Sequence, residues 1–215
     1  MKKIISFSLW GDNPVYTQGA IRNAELAKEI YPDWVCRYYI GKSTPNNIIE
    51  SLRNFDNTEV IEMDNEGDWT GMFWRFYPAG EDDVDVVIVR DCDSRLNNRE
   101  KEAVNEWLNS DKGFHIMRDH PWHTTAILGG MWGSKKGVTP NIKQQIENYV
   151  KGNFWQVDQN FLRDVIYPTV KNNSLVHDEF FDKKPFPTKR EPKRFVGQAF
   201  NDKDELLHPE HINLI

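Results

Sequence analysis

The run DVVIVRDCDSRL, residues 85–96, ends an apolar stretch with two carboxylates one residue apart, Asp91 and Asp93. In extended backbone, alternate side chains share a face, so these two converge while Cys92 between them points to the core. Converging carboxylates suit a hard divalent cation, Mn2+ or Mg2+, which takes oxygen ligands and keeps open positions for substrate phosphates. The alternative is a solvated turn that merely ends the strand, because Asp-x-Asp is a short pattern. Arg75, set among Phe73, Trp74, Phe76 and Tyr77, needs its charge met by an anionic ligand or by a carboxylate such as Asp83 or Asp85.

Other segments carry groups of the same kind. Trp10-Gly11-Asp12 closes a first strand. Gly11 admits a close backbone approach to a ligand, and Asp12 is placed either to accept from a ribose hydroxyl or to cap the next helix. Gly129-Gly130-Met131-Trp132-Gly133 puts three glycines in five residues, which lose order without packing gain and point to another backbone approach. Lys135 and Lys136 follow, placed for phosphate or for a solvated turn. Asp119, in the polar cluster Arg118-Asp119-His120 with His123, is a candidate for sugar hydroxyls, and Trp122 stacks on a ring or sits in the core. The histidine spacing does not match a zinc site. Asp158, followed by Gln159, is a helix-cap candidate.

These groups need a frame, and the pattern supplies one. Strands are expected at Lys3–Leu9, Trp34–Ile40, Glu59–Met63, Asp85–Arg90 and Gly113–Arg118. Helical spacing connects Tyr16, Ala20, Ala24, Ala27 and Tyr31, with Pro14 at the start and Pro32 at the stop. Further helices are expected over Ile48–Phe55 and Trp69–Ala79, after Asn97 with Glu100 as a capping box, and through Ile142, Ile146 and Val150. Another carries Phe161, Leu162, Val165 and Ile166. Alternation of this kind predicts an α/β fold, a mostly parallel central sheet with helices on both faces. Ligands of such sheets bind beyond the carboxyl ends of the strands, where Asp91 and Asp93 fall.

The 215 residues are expected to form one domain, irregular and locally basic from about residue 172, where Lys183, Lys184, Lys189, Arg190, Lys193 and Arg194 cluster. A net charge of −6 argues against general affinity for nucleic acid. Two cysteines imply no disulfide framework and a reducing, cytoplasmic setting. No stretch reaches the length of a membrane span. The opening MKKIISFSLWGDN has too short an apolar run and no small-residue cleavage pattern for a signal peptide.

Taken in order, IISFSLWGDN, MFWRFYPAG, VVIVRDCDS, ILGGMWGSKKG, VDQNFLRDV and a late segment opening with HDEFF resemble the parts of nucleotide-sugar-dependent glycosyltransferases of the GT-A fold. The likeness is to their glycogenin-like and lipopolysaccharide galactosyltransferase-like branch. The resemblance implies a Rossmann-like GT-A fold and transfer of a sugar from a nucleoside diphosphate sugar, a UDP-sugar first, to a glycan or other hydroxyl acceptor. It places Trp10, Gly11, Asp12, Arg75, Asp91, Gly129, Gly130 and Lys135 at the donor, and Asp91, Asp93 and His177 on the metal. Asp158 falls near the reacting centre, and Lys184 joins Arg75 and Lys135 as a source of positive charge. The branch retains anomeric configuration; an inverting enzyme would need a base, for which Asp119 and Asp158 are the candidates. Two other classes stay open: a phosphohydrolase of the haloacid dehalogenase type, which also uses Asp-x-Asp after a strand, and a non-catalytic carbohydrate-binding module.

Overall fold

The computed structural model describes residues 1–149 and 152–215. The order of elements is β1 (Lys3–Leu9), α1 (Pro14–Ile30), β2 (Val35–Ile40), α2 (Asn46–Arg53), β3 (Thr58–Glu62), a 3₁₀ helix (Trp69–Gly80), β4 (Val86–Val89), α3 (Asn98–Asn109), β5 (Phe114–Arg118), β6 (Trp132–Lys135), α4 (Ile142–Asn148), α5 (Val157–Phe161), a π turn (Leu162–Ile166), α6 (Tyr167–Val170) and β7 (Ser174–Asp178). A last 3₁₀ helix, Pro209–Leu214, ends the chain. The strands form one sheet in the order β3-β2-β1-β4-β6-β5-β7. All neighbours are parallel except β6, which runs antiparallel to both β4 and β5.

The period-2 alternation of the strands divides the core between the two faces. Ile5, Phe7 and Leu9 of β1, with Val86 and Ile88 of β4, pack against Ala20, Ala24 and Ala27 of α1. Ile4, Val87 and Val89 face the other way, onto Phe73 and Phe76 of the first 3₁₀ helix and Phe161 of α5. Cys92 packs on the α1 side in a turn just past β4, and Asp91 beside it meets Arg75 of the 3₁₀ helix. Helix starts follow their local chemistry: Asn13 accepts from the Val15 N–H, and Asn97 accepts from the Glu100 N–H at 3.0 Å. Asp12 is therefore not the cap. The capping box is half made, because the Glu100 carboxylate binds Arg90 and Tyr31 instead.

Three expectations need correction. The helical stripe opened at Tyr16, yet this ring is 42% exposed at the first turn of α1. β6 and β7 lie where a glycine loop and an irregular tail were expected. β6 is four residues long and lacks alternating apolar groups; Gly133 sits where a Cβ would meet the Trp107 ring at 2.9 Å. The tail is also anchored: Phe186, Phe195, Val196 and Phe200 are buried, and the Phe200 N–H donates to the Asp93 carbonyl at 2.8 Å. Ile142 and Ile146 are buried as expected, whereas Val150 lies outside the described residues. No helix among the described residues is long and apolar enough to cross a membrane.

Candidate active site

A cleft of about 590 Å³ opens beyond the carboxyl ends of β1 and β4. It gathers Trp10, Gly11, Asp12, Arg75, Asp91, Asp93, Gly129 and Asp158, which come from five separate places in the chain. At its back wall is a charge network. Arg75 is 5% exposed; one guanidinium nitrogen donates to Asp91 and the other to Asp158, the latter at 2.9 Å. Burial opposes the charge on Arg75, but Asp91 and Asp158 more than offset it and hold the guanidinium above its ordinary value. Its Nε is buried without a hydrogen-bond partner among the described residues, a donor left for an anion.

The glycine loop is explained by this network. A Cβ on Gly130 would lie 2.0 Å from an Asp91 oxygen, and one on Gly129 would meet Asp158 at 2.5 Å and Arg75 at 2.7 Å. Backbone lies against the ion pairs because no side chain fits there. Gly11 adopts φ +72°, open to glycine at no steric cost, and its N–H donates to Ser43 Oγ. Trp10 is wedged against Gly67, itself at φ +104°, where a Cβ would meet the Trp10 Cβ at 2.2 Å.

Asp91 and Asp93 have unequal surroundings. Asp91 is engaged by Arg75, while Asp93 has no cationic partner within ion-pair distance among the described residues. Burial first, and the charge of Asp91 second, push the Asp93 carboxyl up to about 7. Two carboxylates with one left uncompensated in a cleft fit a hard divalent ion, with phosphates or water completing its shell. Ionised Asp93 is the binding form, so affinity for Mn2+ is expected to fall about fivefold from pH 7 to pH 6 and to level off above neutrality. A titration of Mn2+ by electron paramagnetic resonance across this range measures it.

Other candidate residues are placed elsewhere. His177 sits in β7, separated from β4 by β6 and β5, which at sheet spacing is about 14 Å. Its Nδ1 is 2.8 Å from His115 Nε2, and its Nε2 lies 3.5 Å from Glu106. It therefore cannot share an ion with Asp91 and Asp93, and His177→Gln is expected to leave Mn2+ affinity unchanged in the same titration. Lys135 pairs with Val86, at the opposite end of β4, and its ammonium donates to the Ser110 carbonyl at 2.9 Å; the antiparallel course of β6 carries it away from the donor. Asp119 is fully buried, bound by Arg99 and Arg190 and by the Val196 N–H. No hydroxyl of a substrate reaches it. Asp158 does not cap its helix: Gln156, at φ +71°, precedes α5, and Asp158 lies in the first turn with its carboxylate on Arg75. Burial raises its pKa, with Arg75 pulling the other way. Lys184 exchanges backbone hydrogen bonds with Asp178 in an exposed turn, and Trp122 is 59% exposed against His211.

The cleft also holds groups that the pattern did not single out for it. Tyr16 lies beside the carboxylate pair, and burial, then Asp93, then Asp91 raise its pKa. Trp69 and Trp155, 42% and 65% exposed, stand at the cleft, two flat apolar faces with little packing reason to be in water. The eight tryptophans of the chain are the sequence signal that hints at them, but which of the eight are exposed is not visible in a sequence.

The sequence matches no protein-family model and no curated protein. The fold has many solved counterparts. A glycosyltransferase involved in the glycosylation of the major capsid of PBCV-1 superposes with a TM-score of 0.58 at 15% identity, covering 100% of each chain. S. aureus TarS 1–349 gives 0.56 at 13% identity, and the mannosyltransferase PcManGT from Pyrobaculum calidifontis gives 0.55 at 10%. Each of these two matches 83% of this chain, which spans 58% and 55% of their lengths. The seven-stranded α/β architecture is thus the GT-A, Rossmann-like fold of glycosyltransferases. At such identities the likeness concerns the fold and does not single out the glycogenin-like branch.

Proposed function

We propose that the protein is a glycosyltransferase that takes a sugar from a nucleoside diphosphate sugar, a UDP-sugar first, and passes it to a glycan or other hydroxyl acceptor. The observation that carries this reading is the Asp91–Asp93 pair in the cleft at the carboxyl end of β4, with Asp91 held by Arg75 and Asp93 left without a cation. The solved neighbours lend support: TarS has been solved with UDP, and PcManGT with GDP-Man and Mn2+. Asp91 and Asp93 would hold Mn2+ or Mg2+, which supplies charge neutralisation for the leaving diphosphate. The unbonded Nε of Arg75 gives a second donor to the same charge. Trp10 and Gly11 border the place for the nucleoside, and Trp69 and Trp155 offer faces for sugar rings.

Asp158 positions Arg75 and does not act as a base, since Oδ2 accepts from Arg75 and Oδ1 from the Gln159 N–H. With Asp119 also closed off, retention is favoured over inversion. In that course the acceptor oxygen bonds to the anomeric carbon as the bond to the diphosphate oxygen breaks. The hydroxyl proton passes to the departing oxygen on the same face.

Thermal melting with UDP, GDP and their sugars, with and without Mn2+, tests the reading, together with release of free sugar over hours. Metal-dependent stabilisation by a nucleoside diphosphate and slow sugar release are expected. Phosphate release from simple esters with no nucleotide binding would instead assign a phosphohydrolase. Binding of glycans alone would make it a carbohydrate-binding module.

A further inference from the structure

The stretch His208-Pro209-Glu210-His211 opens the last 3₁₀ helix, Pro209–Leu214. Pro209 takes its first position, where a missing N–H is no loss and a fixed φ starts the turn. With three residues per turn, side chains at i and i+3 eclipse in such a helix. His208, at the cap, therefore stands over His211: the two rings stack with centroids 4.8 Å apart and planes 15° from parallel. Glu210 turns its carboxylate to both, with Oε1 3.4 Å from His208 Nδ1 and 3.8 Å from His211 Nε2. One ligand atom from each of the three side chains lies within 4.8 Å of the others.

These separations are close to those of a coordination shell. Around a tetrahedral Zn2+ with ligands at about 2.0–2.1 Å, neighbouring ligand atoms stand about 3.3 Å apart. His208 and Glu210 side chains are 50% and 61% exposed, free to rotate through the remaining distance. A pair of surface salt bridges is the ordinary reading of such a cluster. It asks both rings to carry a proton, and two imidazolium ions stacked at 4.8 Å repel each other. A metal ion instead takes both rings neutral.

His211 is the anchored member. Its ring meets the Trp122 ring edge-on at 4.5 Å, and its carbonyl accepts from His120 Nε2 at 3.0 Å. His120 is 1% exposed, and its Nδ1 accepts from the Trp122 N–H at 3.1 Å. Both nitrogens of His120 are thus committed to holding the last helix in place. Two imidazoles with one carboxylate suit Zn2+, Cu2+ or Ni2+, whereas the all-oxygen Asp91–Asp93 pair suits Mn2+ or Mg2+. None of His208, Glu210 and His211 borders the first cleft.

We propose that His208, Glu210 and His211 form a metal site of their own, which takes a divalent transition ion, Zn2+ foremost. The ion clips the first turn of the last helix and, through His211, holds it against the His120–Trp122 loop. Nothing in this assignment depends on what the first cleft binds.

Titration of the full chain with ZnCl2, followed by calorimetry and by the imidazole resonances of His208 and His211, tests the proposal. One Zn2+ is expected to bind with a Kd of about 10 µM or below, with both resonances shifting together. His208→Ala and His211→Gln should each weaken binding by about a hundredfold, since loss of even an outer partner of a ligand costs about 10–100-fold. Glu210→Gln should weaken it by about tenfold. Mg2+ should leave the two resonances in place, and Asp93→Asn should leave their response to Zn2+ unchanged. Absence of saturable binding below millimolar Zn2+ overturns the proposal, as does binding that survives His208→Ala. Loss of the response in Asp93→Asn overturns it too, because it places the ion in the first cleft.

Discussion

Asp93→Asn is expected to change activity and stability in opposite directions. On the proposed function, the substitution removes one of the two carboxylates that would hold the metal, so Mn2+-dependent stabilisation by UDP should vanish. Turnover should fall by on the order of 10³-fold, since the ion supplies several kcal/mol of charge stabilisation. The metal-free protein should nevertheless melt several degrees higher at pH 8. Asp93 titrates near 7, pushed there by burial and then by Asp91, so the folded chain holds a proton that the unfolded chain releases at ordinary carboxylate values. Stability from this group is full at low pH and is lost as pH rises through about 7. Asparagine does not titrate, so the gap between variant and wild type should open between about pH 4 and about pH 7 and stay level above that. Melting curves at several pH values, with and without Mn2+, read both effects. A variant that is less stable at pH 8 without metal would refute this account of Asp93.

Asp119→Asn is expected to do the reverse, lowering stability while sparing chemistry. Asp119 accepts from Arg99 at 2.9 and 3.0 Å, from Arg190 at 2.6 Å and from the Val196 N–H at 2.9 Å. It ties α3, the end of β5 and the C-terminal segment together. Removing one partner of a buried ion pair costs about 3–5 kcal/mol, because the remaining charges are left without compensation. At about 2–4 °C per kcal/mol for a chain of this size, the melting temperature should drop by roughly 6–20 °C. The protein that remains folded should keep the kcat that the proposed function gives the wild type. A substrate-binding Asp119 would give the opposite result, a raised KM or lowered kcat with little change in melting.

The two aspartates show how far residue type and spacing reach. Asp91 and Asp93 were legible as a pair because they follow a buried apolar strand, although the strand ends at Val89 and a turn, not strand alternation, sets their direction and that of Cys92. The alternation of strands and helices likewise located the carboxyl end of β4 as the place for a site. Arg75 was legible in part. An arginine among aromatics has to have partners, but those partners are Asp91 and Asp158, distant in sequence, and not the nearby Asp83 or Asp85. Gly129 and Gly130 announced a close approach, and it is the ion pairs of the site that they approach.

His177, Lys135 and Asp119 show where such reasoning stopped. Each is a residue of suitable type at a suitable place in the chain, and each is directed elsewhere by tertiary context. β6 is too short, and too poor in alternating apolar groups, to declare itself a strand. Its antiparallel insertion between β4 and β5 sends Lys135 to the wrong end of the sheet and β7 beyond reach of the carboxylates. The sequence by itself determined the α/β frame, because it rests on periodicities of a few residues, and with it the position of the carboxylate pair just past a strand end. Which cations and carboxylates meet, and that Tyr16, Trp69 and Trp155 share the cleft, was decided only by the folded chain, since ion pairing and exposure depend on partners that strand order brings together.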